Sequence, residues 1–207
     1  MLAKTRLFMT NKLQLDNEDI FQRLLKLKKY WIQRFDVPFY TLGRNAYLDG
    51  KTDAYYKDMN EVKRELLLNF SPDYAHILLC LQHYLNEKIH IDHDYAIPSF
   101  HIFKSDPVFL NFPSNWHMDY PHKTLNLGDK DAYSFTYVVK IPSSGAGLEY
   151  KDGKETKYLQ YSPYDFILHC GDFLHNIAPL KEYKENEYRI TLQGHIIRHN
   201  DRLIMYW

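Results

Sequence analysis

The sequence predicts an α+β protein, with helical patterning first and strands after it. Two observations carry that prediction. Apolar residues recur at helical spacing through the first ninety or so positions. From about Tyr95 the pattern changes to short segments rich in β-branched and aromatic residues, separated by Pro and Gly. Aromatics make up 16% of the 207 residues, which suits a β-structured core, and this length is expected to form one domain. The expected division is a helical buttress over residues 1–94 and a strand core over 95–207.

The first helix is expected to start at Asp16 or Asn17, where a capping side chain precedes Glu18 and Asp19 at the positive end of the helix dipole. Ile20, Phe21, Leu24, Leu25, Trp31, Ile32 and Phe35 form its apolar face, and Pro38 stops it. Lys26, Lys28, Lys29 and Arg34 read as its solvated side. Phe39–Gly50 is irregular, and Arg44 and Asn45 within it read as structural loop residues. A second helix is predicted over Asp58–Leu68. A third starts at Ser71-Pro72-Asp73, with Ile77, Leu78, Leu81, Tyr84 and Leu85 on one face. His90, Asp92, His93 and Asp94 read as a solvated polar loop.

Strands are predicted over Ala96–Phe103, Val108–Phe112, Ala132–Ile141, Gly147–Tyr150, Asp165–His169 and Tyr188–Arg198. Pro107, Pro113, Pro121, Pro142–Gly147, Lys151–Lys154, Cys170-Gly171-Asp172 and Pro179 supply the turns between them.

Lys plus Arg and Asp plus Glu both number 26, so the formal net charge is zero. That balance argues against a nucleic-acid partner bound by phosphate neutralisation. Cys80 and Cys170 form no close pair, which excludes a disulfide scaffold and makes a reducing cytoplasm the expected location. Lys4, Arg6 and Lys12 interrupt the N-terminal apolar residues, and no stretch approaches the roughly 20 apolar residues of a membrane span. Neither a glycine-rich nucleotide fingerprint nor a nucleophile elbow is present.

The chemistry concentrates in Asn115–Tyr120 and Gly171–Pro179. His117 and Asp119 are two apart, so on an extended strand they share a face and can hold one cation together. His175 supplies a second imidazole. Two His and one carboxylate leave coordination positions open, as in non-haem Fe(II) oxygenases. His90-Ile91-Asp92 repeats the tripeptide, so the motif needs its context. That context is Arg189, which opens an alternating strand. Arg189, Thr191, Gln193 and His195 lie on one face of it, Ile190, Leu192 and Ile196 on the other. A buried guanidinium needs an anion, and its fork fits a carboxylate; Thr191 shares that face. His195 and His199 are four apart on a strand, which separates their directions and disfavours a zinc site.

His117-x-Asp119, His175 and Arg189-x-Thr191 together resemble the Fe(II)/2-oxoglutarate-dependent oxygenase superfamily. The resemblance implies a double-stranded β-helix (jelly-roll-like) core from about Ala96 to Arg198, with the N-terminal helices packed on one sheet. It implies Fe(II) on His117, Asp119 and His175, and 2-oxoglutarate as cosubstrate on Arg189 with help from Thr191. Dioxygen is the oxidant, and the implied reaction hydroxylates a C–H bond as 2-oxoglutarate goes to succinate and carbon dioxide. A carboxylate at Asp119 argues against halogenation, since halogenating relatives have a small residue there. Trp116, Tyr120 and His122 are candidate substrate contacts, and Tyr120–Asp131 a candidate cover. Thr136 or Tyr137 faces the cavity, and Asn176 is a candidate to orient His175. The expected partner is a small-molecule substrate such as an amino acid or natural-product intermediate. A peptide side chain is the second choice, nucleobase repair the third, and a cupin-like metal-binding module the reading from another class.

Overall fold

The computed structural model describes residues 9–111 and 115–207. In chain order the elements are β1 (Met9–Lys12), α1 (Asn17–Lys26), β2 (Trp31–Arg34), β3 (Phe39–Leu42), α2 (Ala46–Asp49), α3 (Asp53–Lys57), α4 (Met59–Leu85), β4 (Ile89–Ile91), β5 (Ser99–Lys104), α5 (Pro121–Leu125), β6 (Tyr133–Lys140), β7 (Leu148–Asp152), β8 (Glu155–Leu159), β9 (Asp165–Cys170), β10 (His175–Ile177), β11 (Tyr188–His199) and β12 (Arg202–Tyr206). They build a nine-stranded sheet and a three-stranded sheet. The larger runs β1-β9-β6-β11-β5-β3-β2, with β12 paired to β11 and β4 to β12; the smaller runs β10-β7-β8. All pairs are antiparallel except β4 with β12. Among the described residues no helix is long and apolar enough to cross a membrane.

The first half of the chain is less helical than its periodicity predicts. Helix α1 is capped by Asp16, whose carboxylate accepts from Asp19 N at 3.0 Å. It stops at Lys26, not at Pro38. Trp31 and Ile32 belong instead to β2, which pairs with β3 on the edge of the large sheet. Both elements bury part of the same residues, and pairing on an open sheet edge outweighs three more helical turns. Phe35 and Asp36, at the tip of that hairpin, have φ of 56° and 53°. The buttress over residues 1–94 therefore also contributes strands to the large sheet.

The second and third predicted helices are one rod, α4, kinked at Phe70 (φ −129°, ψ 16°). Pro72 sets the kink, because its ring displaces the carbonyl four residues earlier and offers no N–H. The Ser71-Pro72 signal thus marks a bend rather than a new start. Pro107–Leu110 is a 3₁₀ turn rather than a strand, with the Asp106 carboxylate accepting from Val108 N at 2.9 Å. The rest of that predicted strand, Phe112, and the Pro113 turn lie outside the described residues. His90 sits in β4 rather than a loop, while Asp92 and His93 receive the Lys63 ammonium through their carbonyls at 3.2 and 2.9 Å.

Alternation gives the large sheet two faces. Phe100 and Ile102 of β5, Phe135, Tyr137 and Val139 of β6, Phe166 and Leu168 of β9, and Ile190, Leu192 and Ile196 of β11 face the helices. There they pack on Ile20 and Leu24 of α1 and on Leu66, Phe70, Tyr74, Ile77 and Leu81 of α4. Asn17 locks this layer: its amide donates to Val139 O at 2.8 Å and its carbonyl accepts from the Tyr137 hydroxyl. The opposite face carries His101, Ser134, Thr136, His169, Arg189, Gln193 and His195, which line a cavity of about 300 Å³. Val138 and Ile167 on this side pack on Leu148 and Tyr161, tying the small sheet to the large one.

Candidate metal centre and its cavity

His117 and His175 meet through their backbones. His117 N donates to His175 O at 3.0 Å and His175 N to His117 O at 2.9 Å. Asp119 N continues the pairing to Gly171 O at 2.9 Å. The His-x-Asp segment is thus an isolated bridge beside β10, and α5 separates it from β6. Extended backbone still puts His117 and Asp119 on one face, and the bridge adds His175 to it.

Ligand atoms of His117, Asp119 and His175 all lie within 4.8 Å of one another. Asp119 Oδ1 is 3.8 Å from His117 Nε2 and 3.6 Å from His175 Nε2. The Nδ1 atom of His117 is 2.8 Å from Asn115 O and that of His175 is 3.0 Å from Phe173 O. A carbonyl only accepts, so each Nδ1 carries a proton and Nε2 is the ring atom left to ligate, on the side of Asp119. Burial and the neighbouring His175 push His117 below the usual imidazole range. Burial pushes the Asp119 carboxyl up, but the imidazoles around it, His175 first, hold it below the usual carboxylate range. Two imidazoles that ligate through Nε2 and one carboxylate are a donor set suited to a divalent cation with open positions. These residues fit such an ion.

Gly171 is what lets the two segments approach. A Cβ there would stand 2.7 Å from Asp119 O and 2.8 Å from Asp119 Cβ. Gly171→Ala is expected to displace Asp119 and lower Fe(II) affinity at least about tenfold, as disturbed ligand orientation does. Titration of the purified variant with Fe(II) under anaerobic conditions measures it, and wild-type affinity would show that the contact is absorbed elsewhere.

Arg189 lies on the same wall and is 3% exposed. Its Nε donates to Ala146 O at 3.0 Å and its guanidinium lies 5.4 Å from the Phe103 ring and 5.6 Å from the Tyr161 ring. Arg23, Arg34, Arg44 and Arg198 each meet a carboxylate. Among the described residues none meets Arg189. Burial pushes its pKa down from the usual guanidinium value, yet such a group stays a cation. Thr191 is fully buried and off the cavity wall; its Oγ1 accepts from Arg189 Nη1 at 3.5 Å and from Gln193 Nε2 at 3.1 Å. It lies against the arginine.

The other sequence candidates divide. Trp116, Tyr120 and His122 do not line the cavity. Trp116 lies under Lys151, whose ammonium is 4.6 Å from its ring. His122 is buried within α5, where the neighbouring Leu125 packs with Ala46, Tyr55, Tyr206 and Trp207; of the predicted cover, Pro121, His122, Leu125 and Leu127 are buried and Gly128–Asp131 exposed. Thr136 lines the cavity, whereas Tyr137 is in the core. Asn176 is buried and off the cavity wall, with its Oδ1 unpartnered. Asn45, read as a loop residue, is on the wall, while Arg44 binds Asp49 at 2.9 Å outside it. His199 turns away to Leu127 O.

Sequence reasoning passed over Phe35, Tyr47, His101, His169 and Tyr161, all on the wall. Strand alternation carried the signal for two of them, since His101 alternates with Phe100 and Ile102, and His169 with Phe166 and Leu168. Tyr47 packs 5.6 Å from the His117 ring. Burial pushes His101 down to about 3, and His169 and His195 down to about 4. Unfolded imidazoles titrate near pH 6.5. Between about pH 6.5 and 4 the unfolded chain therefore binds more protons than the native one, and stability falls as pH falls. Calorimetric Tm is expected to be level above about pH 7.5 and to drop below it; a level Tm down to pH 4.5 would show these rings protonate in place.

No protein-family profile matches the sequence, and no curated protein does. Solved structures do match the fold. An N-substituted L-amino acid dioxygenase from Burkholderia ambifaria AMMD, in complex with alpha-KG, superposes with a TM-score of 0.55 at 12% identity, over 96% of this chain and 85% of that one. IDO from Bacillus thuringiensis gives 0.52 at 13%, over 97% and 92%. The non-heme alpha-ketoglutarate-dependent epimerase SnoN of nogalamycin biosynthesis gives 0.51 at 8%, over 97% and 91%. At such identities the likeness is one of fold alone, shared with proteins described as an amino acid dioxygenase and an alpha-ketoglutarate-dependent epimerase.

Proposed function

We propose that this chain is an Fe(II)/2-oxoglutarate-dependent oxygenase on a double-stranded β-helix, hydroxylating a C–H bond of a small molecule such as an amino acid or natural-product intermediate. The observation that carries the reading is one cavity wall holding both the His117, Asp119, His175 cluster and an arginine with no carboxylate of its own among the described residues. Iron would be held by Nε2 of His117 and His175 and by the Asp119 carboxylate. Once bound with 2-oxoglutarate, it supplies dioxygen activation coupled to decarboxylation.

The residues of the chain bind and orient. Arg189 would take the far carboxylate of 2-oxoglutarate in a bidentate fork, its own orientation fixed by Ala146 O and Thr191. Phe103 and Tyr161 flank the guanidinium and keep water from the pair, so the attraction is strong at this place. Asn115 O and Phe173 O hold the two imidazoles in the ligating tautomer. Phe35, Phe39, Phe109 and Leu180 give the remaining wall an apolar character suited to a substrate body. A cavity of about 300 Å³ supports a small molecule over a folded protein partner, and zero net charge supports a substrate other than nucleic acid.

The test is anaerobic addition of Fe(II) and then 2-oxoglutarate, followed by visible absorption. A weak charge-transfer band needing both components, and absent in His175→Ala, is the expected result. Iron binding without the band would remove 2-oxoglutarate from the reading, and absence of iron binding would remove the metal.

A further inference from the structure

Phe35 combines properties that oppose one another. It is apolar, it is 66% exposed, and its backbone lies in the left-handed region at φ 56°. With Asp36 at φ 53° it forms the centre of the turn between β2 and β3, where Val37 N donates to Arg34 O at 3.4 Å. Two central residues of positive φ are the pattern of the tight hairpin turn that Asn-Gly fills without strain. A bulky aromatic residue is strained there, and one left largely in water recovers little through burial. The turn is tied at its foot. Arg34 donates through Nε to Thr41 Oγ1 at 2.9 Å and through both terminal nitrogens to Asp49 at 3.0 and 2.8 Å, and Gln33 Nε2 donates to Val37 O at 3.2 Å. A local rule broken without a packing gain points to a place shaped by function.

That place is the cavity wall. Among the described residues, Phe35 and Tyr47 are the exposed large apolar side chains that line the cavity. Tyr47 stands at the metal end, its ring 5.6 Å from that of His117. Phe35 heads a run of rings. It stacks on Phe39 with centroids 6.3 Å apart and planes at 26°; Phe39 stacks on Phe103 at 4.1 Å and 4°; and Phe103 carries the Arg189 guanidinium at 5.4 Å. Phe39 covers only part of Phe35, and the surface left open offers the next place in the run. A ring seated there would lie on the wall that also holds Arg189. The same wall is short of charge: Arg189 is its only Lys or Arg and Asp119 its only acid. On the reading proposed above both are engaged, so a charge on the buried part of a substrate would have no partner.

We propose that Phe35 is a specificity-determining residue that stacks a flat aromatic ring of an uncharged substrate, extending the run by one ring. The proposal rests on the oxygenase reading for calling the occupant a substrate, and it narrows the substrate class within that reading.

The experiment compares two uncharged probes of one length, 2-phenylethanol and 2-cyclohexylethanol, by ligand-observed NMR titration of the full chain holding Zn(II) and saturating 2-oxoglutarate. Burial alone favours the more apolar cyclohexyl probe, whereas stacking favours the flat one. The phenyl probe is expected to bind at least about fivefold more tightly. Phe35→Leu keeps apolar bulk and removes the flat face, and should abolish that preference while leaving the cyclohexyl probe unchanged. Phe35→Asn suits a positive φ, and should weaken the phenyl probe at least about fivefold while Tm holds or rises. Equal affinities in wild type, no binding of either probe, a phenyl preference that survives both variants, or a Tm several degrees lower in Phe35→Asn overturns the proposal. Calorimetric titration of the wild-type protein with 2-oxoglutarate separates the two readings. If 2-oxoglutarate binds and the phenyl preference is absent, the role of Phe35 fails alone. If 2-oxoglutarate does not bind while a preference dependent on Phe35 is present, the ring seat stands and the oxygenase reading fails.

Discussion

Arg189→Gln is expected to weaken 2-oxoglutarate binding by about 30-fold or more while making the ligand-free chain more stable. Both effects have one cause. The guanidinium is 3% exposed, held by a carbonyl and a hydroxyl, and meets no carboxylate among the described residues. Removing one partner of a buried charge pair costs roughly 2–5 kcal/mol of binding. Removing a buried charge that has no partner relieves desolvation, so the same substitution raises Tm when ligand is absent. Calorimetric titration with 2-oxoglutarate and thermal scans with and without it measure the two signs. Iron affinity should change little, because Arg189 is not among the clustered ligand atoms. A variant with lower Tm and unchanged 2-oxoglutarate affinity would make Arg189 a structural residue.

Asp119→Ala and His175→Ala are expected to lose Fe(II) affinity by more than about 100-fold without unfolding the chain, since losing a ligand exceeds the roughly 10–100-fold cost of losing its outer support. Asp119 is the hub, with an oxygen 3.8 Å and 3.6 Å from the two imidazoles. Its removal deletes the one anionic donor and leaves the backbone pairing of residues 117 and 175 in place. In wild type, saturating metal raises Tm through binding to the native state alone. That rise is expected to vanish in both variants, with the metal-free Tm within a few degrees of wild type. A rise that persists in either variant would place the ion elsewhere.

The candidate centre was legible because its signal is local. His117 and Asp119 two apart, and Arg189 with an alternating strand behind it, are read from spacing on extended backbone. His175 was read as the second imidazole from a distant segment, and the bridge that brings it to His117 is a long-range pairing that spacing alone does not encode. The same limit accounts for the misread elements. Trp31 and Ile32 continue a helical period, and only the presence of β3 and β5 beside them makes a strand. Gly147–Tyr150 was legible as a strand, whereas its partners β8 and β10 were not, since β8 is exposed and polar and β10 spans only His175–Ile177. Trp116 and Tyr120 alternate with the ligands and so point away from them, a consequence of period two that spacing does encode.

The backbone bridge between His117 and His175 has a consequence for how the protein holds its ion. Their two imidazoles are brought together by main-chain hydrogen bonds at 2.9 and 3.0 Å, whatever sits between them. A site that an ion must assemble for itself is gained and lost with the fold, as in small zinc domains. Here the main chain itself joins the two segments, so on the reading proposed above the scaffold is expected to persist when an ion is removed. Chelation should strip the centre and leave a competent scaffold, and occupancy in the cell should follow the current supply of ferrous iron rather than the conditions under which each copy was made.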